Sequence, residues 1–101
     1  MKSSYVYLLT NKNNTVIYVG VTTNLVRRIY EHKTGLFQWF TKRYNCNKLV
    51  YFEEYGNINK AIEREKQIKA GNRKRKEHLI TITNPAWVDL AKEWLFHYDW
   101  I

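Results

Sequence analysis

Two runs rich in β-branched and aromatic residues, Tyr5-Val6-Tyr7-Leu8-Leu9 and Val16 to Val21, stand either side of Asn11-Lys12-Asn13-Asn14. The runs have the side chains that suit a pleated surface. The segment between them is turn chemistry, because asparagine tolerates the left-handed backbone region and bonds its own main chain. The chain therefore opens as an antiparallel hairpin. A turn centred between Lys12 and Asn13 sets Tyr7 opposite Tyr18, both on one face, and a longer turn would move the pairing by a residue or two.

After the hairpin the period changes. Asn24 is suited to cap a helix whose apolar stripe is Leu25, Val26, Ile29 and Tyr30, with Gly35 as its stop. Arg28 and His32, four apart, share one edge of that stripe, while Arg27 and Glu31 point away. Residues 36–47 read as a short helix or as a loop of aromatic and basic side chains. Lys48 to Tyr55 reads as a third strand ending at Gly56. Asn57 or Asn59 then opens a helix to about Ala70, and Asn72 caps another from Arg73 to about Thr83. Asn84-Pro85 reads as the start of a final helix with Trp87, Leu90, Ala91, Trp94 and Leu95 on one side. The order β-β-α-β-α-α-α predicts an α+β fold, a small three-stranded antiparallel sheet flanked by helices.

With 101 residues, one domain spanning 1–101 is expected. The single cysteine, Cys46, excludes a disulfide framework and a cysteine-rich zinc site. The apolar runs are too short to span a bilayer, and the first is not followed by a cleavage signal, so a cytoplasmic location is the default expectation. Seventeen Lys and Arg against nine Asp and Glu give a formal charge of +8. So strong an excess favours a polyanionic partner, be it nucleic acid, an anionic membrane face or an acidic protein, over mere solubility. Lys69, Arg73, Lys74, Arg75 and Lys76 are the densest basic stretch, and Lys42 and Arg43 lie among aromatics. They read as phosphate contacts or, alternatively, as a solvated helix face.

One residue sits where a helix should be apolar. On the wheel of the 58–70 helix, Glu65 falls in the stripe of Ile58, Ala61, Ile62 and Ile68, whereas Glu63 falls on the polar side. A carboxylate there is costly unless it is paired or holds a cation. It is either half of a structural contact with an arginine or tyrosine, or a carboxylate aimed into a site.

Tyr5-Val6-Tyr7 and, ten residues on, Tyr18-Val19-Gly20 resemble the paired signature of the GIY-YIG nuclease superfamily. The segment Asn24 to His32 resembles its first helix, and Ala61 to Lys69 its glutamate-bearing helix. The likeness is greatest to small stand-alone members and extends through Phe40 to Tyr44, Lys48 to Tyr51 and Asn84-Pro85-Ala86-Trp87. It implies catalytic roles for Tyr7, Tyr18, Arg28, His32 and Glu65. Two positions depart from the pattern. Tyr5 and Val6 replace the glycine and isoleucine of the first signature, and Gly71 or Asn72 stands where many relatives have a bulky aromatic. A late asparagine of some branches has Asn72 as its candidate.

The resemblance implies a metal-dependent endonuclease that hydrolyses phosphodiester bonds in DNA, with RNA also open. Tyr7 would be the general base, Arg28 would neutralise the non-bridging oxygens and Tyr18 would orient water or phosphate. Glu65 would hold one Mg²⁺ or Mn²⁺. His32 would relay a proton or bind phosphate, or else be a helix-edge histidine bonded to backbone. Two further classes stay open, a nucleic-acid-binding module that has lost catalysis and an interaction subunit that docks an acidic partner through its basic helices. The apolar tail, Phe96 to Ile101, is expected to cover the core or to mediate association into a homodimer.

Overall fold

Residues 3–35 and 39–94 are described by a computed structural model. Three antiparallel strands, β1 (Ser4–Thr10), β2 (Ile17–Thr22) and β3 (Lys48–Tyr55), lie in the order β2-β1-β3. Helix α1 (Leu25–Thr34) follows the hairpin, and the five-residue α2 (Trp39–Arg43) precedes β3. Helices α3 (Ile58–Ala70) and α4 (Arg73–Thr83) follow it. No helix among the described residues is long and apolar enough to cross a membrane.

The central strand separates two cores. Val6 and Leu8 point to one face and pack with Val19, Val50, Ala61, Ile68 and Ile80, so α3 and α4 cover that side. Tyr7 and Leu9 point to the other and pack with Leu25, Ile29, Cys46 and Leu49, so α1 covers the opposite side. The period of two along β1 is thus what sends its tyrosine towards α1.

The hairpin register differs from the sequence expectation. Tyr7 pairs with Gly20, and Tyr18 pairs with Leu9. The connection is longer than a two-residue turn. Asn11 Oδ1 accepts from the N–H groups of Thr15 and Val16 at 2.9 and 3.1 Å, and Asn14 takes φ 57°. A slip of two keeps the side-chain parity, so both tyrosines still share a face.

Helix α1 is capped as expected, Asn24 accepting from the N–H of Arg27 and Gly35 closing the helix at φ 73°. Its buried face is Leu25, Ile29 and His32, while Val26 is exposed. His32 therefore lies inside and not at a stripe edge. Asn57 and Asn72 cap α3 and α4 through their side chains.

The final helix expected from Asn84-Pro85 is absent among the described residues. Asn84 closes α4, and turns and extended chain follow it. Its side chain donates to the carbonyls of Val50 and Val88 and accepts from the N–H of Val88. A bulge in β3, between the pairs Leu8–Tyr51 and Leu9–Leu49, leaves outer backbone groups for this segment. Leu49 donates its N–H to Asp89 and accepts from Leu90 at 2.7 Å. Tertiary bonds to a strand edge thus override a local helix-start signal. Phe37, Leu95 and residues 96–101, with the expected role of that tail, lie outside the described residues.

Candidate active site

The α1 face of the sheet gathers Tyr7, Tyr18, His32 and Arg28. Tyr7 is fully buried, and its hydroxyl lies 2.9 Å from His32 Nε2. His32 Nδ1 lies 3.0 Å from Thr41 Oγ1, itself buried on α2. The rings of Tyr7 and Tyr18 are 6.2 Å apart, and each is within 5.6 Å of the His32 ring, centroid to centroid. Adjacent strands place the tyrosines diagonally, and successive turns of α1 carry Arg28 and His32 over them. Gly20 makes this possible. A Cβ at Gly20 would lie 2.5 Å from the Cζ and hydroxyl of Tyr7, so the cross-strand space is filled by the phenol itself.

The electrostatics keep both members of the Tyr7–His32 pair neutral. Burial pushes the Tyr7 hydroxyl far above the ordinary tyrosine range, and Tyr18 adds to this while Arg28 opposes it. Burial, with the nearby Arg28 charge, brings His32 down to about 4. The Arg28 charge acts directly on the Tyr7 hydroxyl. A guanidinium only donates, so towards Arg28 the phenol oxygen is the acceptor. The His32 tautomer sets the direction of its bonds to Tyr7 and Thr41. Hydroxyl, imidazole and hydroxyl form one hydrogen-bonded chain.

Arg28 also meets Glu31, Nε to Oε1 at 3.2 Å, and Arg27 meets the same carboxylate at 3.6 Å. Thr22, Thr23, Asn24, Arg27, Arg28 and Glu31 line a polar cavity of about 440 Å³ beside the Tyr7 cluster. Glu31 is therefore turned to the arginines and does not simply point away.

Glu65 is nearly buried, with 14% of its side chain exposed, between Ala61 and Ile68 on α3. Its partner is Lys69, at 3.0 Å. Helix α3 packs on the face of the sheet opposite to that of Tyr7 and α1. Lys69 bridges the two sides. With Lys76 it lines a cavity against Ile17, Tyr18 and Val19 of that strand. Among the described residues no three His, Cys, Asp or Glu side chains stand together as a cation cage. One carboxylate of this kind suits a hard cation that keeps most of its water.

Helical geometry divides the basic run. Arg73 is tied to the hairpin turn, donating to the carbonyls of Asn14 and Thr15 at 2.5 and 3.0 Å and meeting Glu77 at 2.8 Å. Lys76 faces β2 and donates to the Gly71 carbonyl. Lys74 and Arg75 face a groove between α3 and α4 that Lys76 also lines. Lys42 and Arg43 are exposed on the short helix whose Thr41 meets His32, and Arg43 lies 5.8 Å from the Tyr44 ring centroid.

Sequence reasoning missed Thr41, whose one signal is its place beside Lys42 and Arg43. It also missed the clamp on the far side of α3. There Glu53 accepts from Tyr51, from Tyr55 at 2.6 Å, and from Arg64 Nε and Nη2 at 2.9 and 3.1 Å. Alternate residues of β3 share a face, which is the signal that joins the two tyrosines to Glu53.

The model of the GIY-YIG catalytic domain matches residues 3–78. A UPF0213 protein of Natronomonas pharaonis is 37% identical over 76 residues, covering 75% of this chain and 88% of that protein. One of Clostridium perfringens is 40% identical over 78 residues, covering 77% and 83%. The solution NMR structure of a UPF0213 protein from Bacillus halodurans superposes with a TM-score of 0.56 at 26% identity, over 93% of this chain and 99% of that one. Fold, signature strands and family model agree, and the chain belongs to the GIY-YIG family, alongside the small UPF0213 proteins.

Proposed function

We propose that the protein is a metal-dependent endonuclease acting on DNA phosphodiester bonds through the Tyr7 cluster. The observation that carries this reading is the hydrogen-bonded chain Tyr7–His32–Thr41, with the Arg28 charge acting on its Tyr7 end. An attacking water gives a proton to the Tyr7 oxygen while Tyr7 passes its own to His32 Nε2. No free phenolate is needed, which suits a site that disfavours one. The new P–O bond forms as the bond to the leaving oxygen breaks, and Arg28 neutralises the non-bridging oxygens. The arriving phosphate also offsets the Arg28 charge that, after burial, makes His32 a weak base. Tyr18 orients phosphate or water.

Glu65 is the residue that would hold a divalent cation. When bound, such a cation supplies Lewis-acid stabilisation of the phosphoryl and leaving oxygens. Lys69 and Lys76, beside Tyr18, and Lys42 and Arg43, on α2, hold the substrate backbone.

Nicking of supercoiled DNA in Mg²⁺ or Mn²⁺, beside an RNA arm, tests this. The wild type should cleave. Tyr7→Phe should cleave about 10²–10⁴ times more slowly with binding retained. Glu65→Gln should lose the metal dependence, yet melt within about 1 kcal/mol of wild type, because its pair with Lys69 is half in solvent. Wild-type cleavage by Tyr7→Phe would remove Tyr7 from the chemistry.

A further inference from the structure

A sizeable groove lies away from the tyrosines. It measures about 770 Å³ and runs between the C-terminal turns of α3 and the N-terminal turns of α4. Its floor is apolar, from Ile68, Ala70 and Leu79, and its rim carries Lys74, Arg75 and His78, with Lys76 also in the lining. No carboxylate lines it. The three rim side chains are exposed and have no hydrogen-bond or ion-pair partner among the described residues. Arg64 closes one end but is committed to Glu53. The apolar strip runs on from Leu79 to Ile82, which is 63% exposed one turn later.

We propose that this groove docks an acidic, amphipathic segment of a partner protein. Charge complementarity selects the acidic class, since the rim presents cations and no anion. The floor selects a peptide over a nucleic-acid strand. A strand needs a phosphate track with stacking platforms, and apart from His78 no ring lines the groove. A helical segment lays apolar anchors between two helices and keeps its charges at the rim. The groove is open at Gly71, which sits in its wall with φ −75°, a value open to any L-residue. A Cβ there would lie 3.4 Å from Arg75 Cδ and the Ile68 carbonyl oxygen, and a small shift of the Arg75 side chain relieves the first of these. Lys74 and Arg75 take no part in the proposed hydrolytic chemistry, whose tyrosine cluster lies on the opposite face.

The test uses the full chain, isotope-labelled, with three fluorescent probes. These are a peptide of about twelve residues with leucine and glutamate at helical spacing, oligoglutamate of equal charge, and a single-stranded oligonucleotide of equal charge. The amphipathic peptide should bind best and shift the amides of Ile68, Gly71 and Leu79. The double variant Lys74→Glu with Arg75→Glu should weaken it by about tenfold or more. Gly71→Trp should fill the groove and abolish binding while its spectrum keeps native dispersion. If Gly71→Trp fails to fold, the charge-reversal variant alone decides. Equal binding by oligoglutamate, or groove shifts and displacement of the peptide by the oligonucleotide, would overturn the proposal, as would no binding at all.

Discussion

Gly20 and Tyr7 illustrate how one missing side chain sets a site. The Tyr7 ring is fully buried, with Leu9, Leu25, Ile29 and His32 around its half of the core, so it cannot simply withdraw. Gly20→Ala should displace the phenol, cost about 1–3 kcal/mol in stability and lower cleavage as well. A melt and a nicking assay on the same preparation read both effects. Retention of both would mean that the ring moves aside. His32 gives a second prediction at this scale. Its folded value, about 4, is below the ordinary 6.5. Above pH 6.5 it is neutral in folded and unfolded chains and has no effect on stability. As pH falls from 6.5 towards 4, the unfolded chain takes a proton that the folded one refuses, so stability drops. The loss amounts to at most about 3 kcal/mol. Denaturant unfolding across the range from about pH 5 to about pH 7.5 should show this slope, and His32→Gln should flatten it.

At the scale of elements, the Glu53 clamp fixes how α3 rolls on the sheet. Burial pushes the Glu53 carboxyl up, but bonds from Arg64, Tyr51 and Tyr55 outweigh that and hold it below the ordinary carboxylate range. Arg64 precedes Glu65, so a rotation that loosened one would re-aim the other. Glu53→Gln keeps the shape of the side chain and loses the charge. It should cost about 1.5–3 kcal/mol, the range for hydrogen bonds to a charged group. Urea unfolding checks this, and an unchanged midpoint would show that α3 is held by Ala61 and Ile68 alone. Helix α4 adds a contrasting case. Its first turn holds only cations, against the helix dipole, with no acidic residue there. The helix forms because Asn72 caps it, Ile80 is buried under it and Arg73 ties it to the hairpin turn.

For the whole molecule, the charge of +8 is distributed over different faces. Lys69 and Lys76 border the edge strand at Tyr18, while Lys74 and Arg75 face the groove. Replacing Lys69 and Lys76 by Met should lower the slope of log K against log salt for duplex DNA by about 2, at roughly 0.9 for each phosphate no longer neutralised. Anisotropy titrations across a salt series measure it. An unchanged slope would assign both lysines to the bonds that they already make with Glu65 and the Gly71 carbonyl.

Short-range chemistry was legible in the residues themselves. Asn24, Asn57 and Asn72 cap where their side chains reach N–H groups two or three residues on, and Gly35 takes the left-handed turn that ends α1. The alternation of β1 and β2 placed Tyr7 and Tyr18 on one face, because a slip of two conserves parity. The helical period placed Glu65 between Ala61 and Ile68. What required the tertiary structure is what depends on residues far along the chain. Lys48 and Arg73 bond Asn14 and Thr15 of the long hairpin turn, whose register pairs Tyr7 with Gly20. Asn84 closes α4 instead of opening a helix because the bulged edge of β3, 34 residues earlier, offers it the Val50 carbonyl. His32 is buried because Thr41 and Tyr7 satisfy both its nitrogens, and the basic run divides because α4 packs Ile80 inward. Local propensity acts over a turn or a pleat, whereas the choice of a buried polar partner is made only when distant elements meet.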